Sequence, residues 1–257
     1  MTCNIQYQSK HANRNLAWVI LFLISTSVYA VNGHVFLGGT IGLNKARMGN
    51  NNTTINYYDG NLTDAYPLNR NDANTATIGI NSGYEFQGSG LIPAIALGLG
   101  IYGTPVGYDY KGQLVETAIG DPSSTLYDFK YHVHSTRLLL EAQFTWALLE
   151  KFAPFINMGI GPARNRLSGY EETPVDNTGY VPLPPFQSHA STDFAYQLGL
   201  GVGYAWGNYQ QERISLGYRY VNLGNTTFGT RGDVYPYRLD TGRLTSNEVY
   251  LTLTHLF

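Results

Sequence analysis

Charge is the scarcest thing in this sequence. Asp, Glu, Lys and Arg make up 13% of its 257 residues, against roughly 25% in ordinary soluble domains. The formal charge is −2, so no basic excess exists to hold a nucleic acid. Cysteine occurs once, at Cys3, which excludes a disulfide framework and thiol chemistry elsewhere in the chain. No run of about 18 or more apolar residues occurs, so no helix can span a membrane. A protein this poor in charge and without a spanning helix still has one route into lipid, a closed sheet.

The longest apolar run, Leu16–Ile24, is short. Lys10, His11 and Arg14 precede it, and Val28-Tyr29-Ala30 follows with small residues at the positions a signal peptidase reads. Residues 1–30 therefore read as a secretory signal and 31–257 as the mature domain. Two of the 16 basic residues and none of the 18 acidic ones lie before residue 31, leaving a mature formal charge of −4. Cys3 precedes the apolar run, so it is no lipoprotein acylation site.

What the chain has in abundance is glycine, 29 residues, and tyrosine, 21. Their arrangement is clearest from Phe194 to Leu223. Phe194, Tyr196, Leu198, Leu200, Val202, Tyr204 and Trp206 alternate with Ala195, Gln197, Gly199, Gly201, Gly203 and Ala205. After Gly207–Glu212 the pattern resumes, with Ile214, Leu216, Tyr218 and Tyr220 alternating with Arg213, Ser215, Gly217 and Arg219. Period-two alternation places the two sets on opposite faces of a strand. The second set is small and suits a crowded interior, so the large apolar set belongs outside, against lipid.

The same unit recurs along the chain. Strands are expected over about 33–44, 74–86, 93–104, 129–146, 153–164, 194–206, 213–223 and 247–257. Pro162 cannot donate to a ladder, so pairing should end near it. The connections alternate long and short; the long ones are 45–73, 105–128, 165–190 and 225–246. The expected fold is all-β: an eight-stranded antiparallel up-and-down transmembrane β-barrel with short periplasmic turns and four long extracellular loops. Aromatics near strand ends read as two interfacial girdles. Tyr84, Phe86, Phe144, Trp146, Tyr204, Trp206 and Phe257 form the inner one; Tyr102, Tyr131, Phe194, Tyr196 and Tyr220 form the outer.

Gly199-Leu-Gly-Val-Gly-Tyr-Ala205, Leu216-Gly-Tyr-Arg-Tyr220, Pro154-Phe-Ile-Asn-Met-Gly-Ile-Gly161 and the aromatic Phe257 resemble the outer membrane protein A-like family, which includes the opacity-type surface barrels. The resemblance covers nearly all of residues 31–257. It implies location in the cell outer membrane and recognition by the barrel-assembly machinery of a C-terminal signal, here Val249, Leu251, Leu253 and Phe257. His255 departs from that pattern. No peptidoglycan-binding domain is expected after the barrel.

An eight-stranded barrel has an interior just wide enough for side chains. The inward charges Glu85, Arg137, Glu141, Arg219 and Glu248 should therefore pair with one another, in a network built around Arg137 and Arg219, because lone buried charges are very costly. As a structural plug the network closes the lumen; the alternative is a gate in a narrow pore. His132, His134 and Ser135, and His189 with Ser191, invite an enzyme reading. The lipid A deacylases of outer membranes carry His-x-Ser-Asn, whereas His189-Ala190-Ser191 is followed by Thr192. No enzyme, cofactor or metal site is expected, and Asn61-Leu62-Thr63 carries no weight as a glycosylation site. The expected role is structural and adhesin-like, carried by the extracellular loops. A small-solute pore and then a lipid A-modifying enzyme are the alternatives. Expected partners are outer-membrane lipids, the barrel-assembly machinery and a host or environmental ligand, with no nucleic acid.

Overall fold

In the computed structural model the described residues are 33–257, except 51, 58–61, 90, 119, 121–123, 147–150, 176–184, 207–210 and 232–235. The chain divides into Met1–Gly33 and His34–Phe257. The expected signal at 1–30 lies outside the described residues, as does Cys3. Among the described residues there is no helix. The strands in chain order are β1 Gly33–Met48, β2 Asn52–Tyr57, β3 Leu62–Pro67, β4 Asp72–Phe86, β5 Ala94–Gly103, β6 Tyr108–Ala118, β7 Ser124–Thr145, β8 Phe152–Pro174, β9 Phe186–Gln187, β10 His189–Trp206, β11 Glu212–Thr227, β12 Gly229–Thr230 and β13 Asp240–Leu256.

Eight of them close a hydrogen-bonded ring in the order β1-β4-β5-β7-β8-β10-β11-β13, with β13 returning antiparallel to β1. Closure satisfies every ladder, which lipid demands because it offers no water to an open edge. Ile41 stands opposite Leu251, and Gly201 opposite Gly217. Gly83 faces Gly98 across β4 and β5, where a Cβ on Gly83 would lie 2.1 Å from the Leu97 carbonyl oxygen. Only glycine lets the two backbones approach that closely here.

The apolar sets face outward all round the ring. Leu43 is 75% exposed, Leu200 62% and Ile80 61%. Phe36, Thr40, Thr77, Glu85, Arg137, Gln197, Ser215, Arg219 and Glu248 are buried inside. Tyr102 and Tyr131 are corrections to the outer girdle: both are buried on the inward face. Tyr102 follows the outward Ile101 by one residue, and Tyr131 precedes the outward-facing His132, so parity turns each toward the axis.

The expected strand ends also need correcting. β7 and β8 run for 22 and 23 residues, where about 9–11 cross a bilayer. Their upper halves stand roughly 25 Å above the lipid, at ~3.3 Å per residue and a tilt of about 45°. Pairing does not stop at Pro162, which sits opposite Phe194 in the ladder with β10. On the β7 side the register lapses between Arg137–Ala163 and Leu140–Ile160 and resumes in step. One missing donor removes one ladder bond and leaves the flanking pairs to carry the strand through.

The long connections are likewise mostly sheet. β2 and β3 form a hairpin, β3 pairs with β6, and β6 with the top of β7. β9 and β12 form a separate two-stranded pair, Gly229 opposite Gln187. Alternation persists into this extension, but its polarity inverts. On β6, Tyr108, Tyr110 and Leu114 point in and Asp109, Lys111 and Gln113 point out. On β7, Phe129, Tyr131 and Val133 point in, whereas lower down, at Leu138 and Leu140, the outward side is leucine. Below the boundary the solvent is lipid and the apolar set faces it; above, the solvent is water and the same parity buries it.

Candidate functional site

Two places collect side chains that bear chemistry: the lumen and the core of the extension. In the lumen, nearest the short turns, Arg213 grips Glu85 with Nη1–Oε2 at 2.8 Å and Nη2–Oε1 at 3.0 Å. Above this pair lies a cavity of about 50 Å³ lined by Phe36, Asn81, Tyr102, Asn157, Arg219 and Tyr250 among others. That is room for a few waters.

Glu141 forms the next level. Tyr102 Oη donates to both its oxygens at 2.9 Å, and Gln197 Nε2 donates at 2.6 Å. Then comes the most buried group. Arg137 meets Glu248 bidentately at 3.0 and 2.8 Å, and Arg219 Nε donates to the same carboxylate at 2.6 Å. Tyr102 stacks under both guanidiniums, at 4.9 Å from Arg137 and 4.4 Å from Arg219, and Tyr250 lies 4.5 Å from Arg219. Higher still, Asn44 Nδ2 donates to Thr77 Oγ1 at 2.5 Å and to Tyr108 Oη at 2.9 Å.

Of the five lumenal charges expected from sequence, the structure thus gathers Arg137, Arg219 and Glu248 into one ion cluster. Glu141 is held by neutral donors beside it. Glu85 departs from the expected network: its partner is Arg213, a level lower. Arg213 was not among the expected charges, although its alternation with Ile214 already placed it inside. Tyr102 and Tyr250 were missed although parity places both inside: Tyr102 follows the outward Ile101, and Tyr250 lies between the outward Val249 and Leu251.

The extension is closed by an aromatic core. Tyr66, Tyr110, Phe129, Tyr131, Tyr170 and Phe228 are all buried there. Tyr131 meets Phe228 edge-on at 5.2 Å, and Tyr66 meets Phe129 at 5.9 Å. Two carboxyls lie at the rim of this core. Burial pushes Asp64 up to about 6, and Glu116, directly opposite on β6, adds to the rise. Burial likewise pushes Glu172 up to about 6, although Tyr170 Oη donates to it at 2.6 Å. Both values lie above the ordinary range of the unfolded chain. The stability these groups contribute is therefore fully present below that range and is lost as pH rises through about 6. In detergent micelles, amides of β3, β6 and the top of β8 should exchange more slowly at pH 5 than at pH 7.5, after correction for intrinsic rates. Protection that is equal at both pH values, or greater at 7.5, removes the assignment.

The histidines do not assemble with serines. His132 Nδ1 donates to the Asp109 carboxylate on the outer wall, and His134 Nδ1 lies 3.3 Å from the Thr104 carbonyl oxygen. Ser135 points inward and is buried. Ser191 Oγ donates to the Asn225 carbonyl at 3.2 Å, and among the described residues no hydrogen bond joins it to His189. At the far end Val249, Leu251, Leu253 and Phe257 all face outward, and His255 turns aside to bond Glu212 at 2.7 Å.

An eight-stranded ring with lipid-facing leucines and a filled axis is an integral β-barrel of the bacterial outer membrane. The model of the OmpA-like transmembrane domain matches residues 32–251, and the chain belongs to that family. No curated protein matches this sequence. Among solved structures it is similar to Neisserial surface protein A, at 13% identity and a TM-score of 0.43, over 87% of this chain and 97% of that one. It is also similar to OprG of Pseudomonas aeruginosa, at 14% identity and 0.38 over 88% and 97%. Ail, the attachment invasion locus protein of Yersinia pestis, follows at 12% identity and 0.33 over 86% and 98%.

Proposed function

We propose that this barrel is a closed, non-enzymatic anchor that displays its extracellular extension, an adhesin-like role in which β2, β3, β6 and the upper β7 and β8 meet a host or environmental ligand. The observation that carries this reading is the filled axis. Arg137, Glu248 and Arg219 are each at most 2% exposed, and an aromatic core lies above them. A conducting path would have to part three bonded charges and then the stacked rings. Such a plug suits a protein whose work lies on its surface. The partners in this reading are the surrounding outer-membrane lipids, the ligand of the extension, and the assembly machinery, which would read Val249, Leu251, Leu253 and Phe257.

Two measurements test it. In planar bilayers the purified barrel should give no discrete openings above leak; openings abolished by Arg137→Ala or Arg219→Ala would establish the small-solute pore instead. Cells displaying the protein should adhere to an epithelial monolayer more than cells displaying a form with residues 52–67 replaced by a short Gly-Ser turn. Equal adherence, with both forms present at the surface, would remove the adhesin role.

A further inference from the structure

β2 is the last strand of its branch of the sheet: among the described strands it pairs with β3 alone. Which of its backbone groups that leaves free follows from β3. Asn69 N donates to Lys111 O at 2.9 Å, and the bridge of Leu68 with Gly112 continues the β3–β6 register without a shift. Backbone groups alternate sides along a strand. Counting back from Asn69, those of Pro67, Ala65 and Thr63 turn to β6, and those of Tyr66, Asp64 and Leu62 turn to β2. Their partners there are Thr53, Ile55 and Tyr57. The N–H and C=O groups of Asn52, Thr54 and Asn56 therefore point away from the sheet.

The wall beside them is parted. The start of β13 meets this chain only at the foot of the hairpin, where Asn50 N donates to Thr241 O at 3.3 Å and Thr53 Oγ1 to Asp240 O at 2.6 Å. Before β13, residues 236–239 form no strand. Among the described residues no backbone group bonds the outer edge of β2. An open edge is normally guarded by a charge, a proline or a bulge. Asn52–Tyr57 (NTTINY) has no charge and no proline, and its register with β3 is unbroken. Thr53, Thr54 and Ile55 are β-branched and suit an extended chain. Asn52, Thr54 and Asn56 are exposed and uncharged, and beside them on β3 the half-buried Thr63 and Ala65 carry no charge either.

We propose that the free edge of β2 binds an extended, uncharged segment of a protein ligand, which adds to the sheet as one more antiparallel strand. This rests on the adhesin-like reading and deepens it: the partner is polypeptide and the contact is backbone hydrogen bonding. In such additions main-chain bonds supply affinity and alternate side chains supply selectivity. Opposite Thr54 and its asparagine neighbours, a strand bearing threonine or serine gains cross-strand hydrogen bonds. A second copy in the same membrane fits less well. Both copies point the same way, so two β2 edges would meet in parallel, the weaker pairing.

The full barrel in phosphatidylcholine nanodiscs is titrated with an acetylated, amidated hexapeptide of alternating threonine and valine. Saturable shifts and slowed exchange are expected at the Asn52, Thr54 and Asn56 amides. Thr54→Pro removes a donor on the free side only, so it should weaken binding at least about tenfold while the Ile55 and Asp64 amides keep their slow exchange. The same peptide N-methylated at every residue should not bind the natural chain. Equal affinity for Thr54→Pro with the hairpin intact, equal affinity for the methylated peptide, or shifts absent from the three amides overturns the proposal. On cells, Thr54→Pro should lower adherence to the epithelial monolayer as far as replacing residues 52–67 does. Natural adherence of Thr54→Pro cells, with adherence still lost on replacing 52–67, overturns the edge and leaves the adhesin role standing. Adherence unchanged by either, with the peptide still bound at the three amides, removes the adhesin role and leaves the edge.

Discussion

Glu248→Gln is expected to cost the folded barrel about 3–5 kcal/mol, the usual effect of removing one partner from a buried ion pair. Glu248 has no exposed surface, and it is the one carboxylate that both Arg137 and Arg219 touch. Glutamine keeps the shape and one acceptor, so the loss isolates charge from packing. Two guanidiniums would remain in a narrow lumen with Glu141 alone, and Glu141 bonds to Tyr102 and Gln197. Cation–π contact with Tyr102 and Tyr250 offsets little of that, at about 2 kcal/mol when desolvated. Typical stabilities are only about 5–15 kcal/mol, so the change should be visible as a lower urea midpoint for conversion between folded and unfolded gel bands.

The same reasoning fixes a compensating pair. Arg137→Met with Glu248→Gln removes one charge of each sign and leaves Arg219 beside Glu141. That double variant should be more stable than Glu248→Gln alone, although it carries one more substitution. A single variant within about 1 kcal/mol of the natural chain would mean that lumenal water already screens these charges. A double variant worse than the single would mean that packing by Arg137, and not its charge, matters most.

Which parts of this molecule could be read from sequence follows from one physical asymmetry. Alternation reports which residues share a face, and Leu198, Leu200 and Val202 against Gly199, Gly201 and Gly203 also reveal what each face meets. In the extension the same alternation persists with opposite meaning. Tyr108 and Tyr110 against Asp109 and Lys111 look like a polar loop to a reader seeking apolar residues outside, so β6 and the upper β8 went unread, and β7 was read only from residue 129. The lumenal set was legible because inward charge is rare: Arg137, Arg219 and Glu248 stand out on parity alone. Their partners were not. Whether Glu85 meets Arg213 or Arg219 depends on the stagger between β4 and β11, strands that are not neighbours in the ring. The pairing of β3 with β6 likewise depends on where β6 joins the sheet, which no local pattern announces.

Leu200→Arg should separate the lipid-facing assignment from every alternative. Leu200 lies midway along the outward row from Phe194 to Trp206 and is 62% exposed. An arginine at the bilayer midplane of a barrel costs about 2–4 kcal/mol, falling to about 0–1 near the interface. Thr192→Arg, on the same strand and face but above the apolar band, should therefore cost little. Its charge would meet headgroups and water, not hydrocarbon, and the like charge of Arg164 directly opposite would cost at most about 1 kcal/mol. The contrast is read by folding both variants into phosphatidylcholine vesicles and comparing their urea midpoints with those in detergent micelles. In vesicles Leu200→Arg should fall well below Thr192→Arg; in micelles, whose thin apolar layer deforms around a charge, the gap should narrow. Equal midpoints in vesicles would mean that position 200 never meets hydrocarbon, and the row of leucines that defines this barrel would have to face something else.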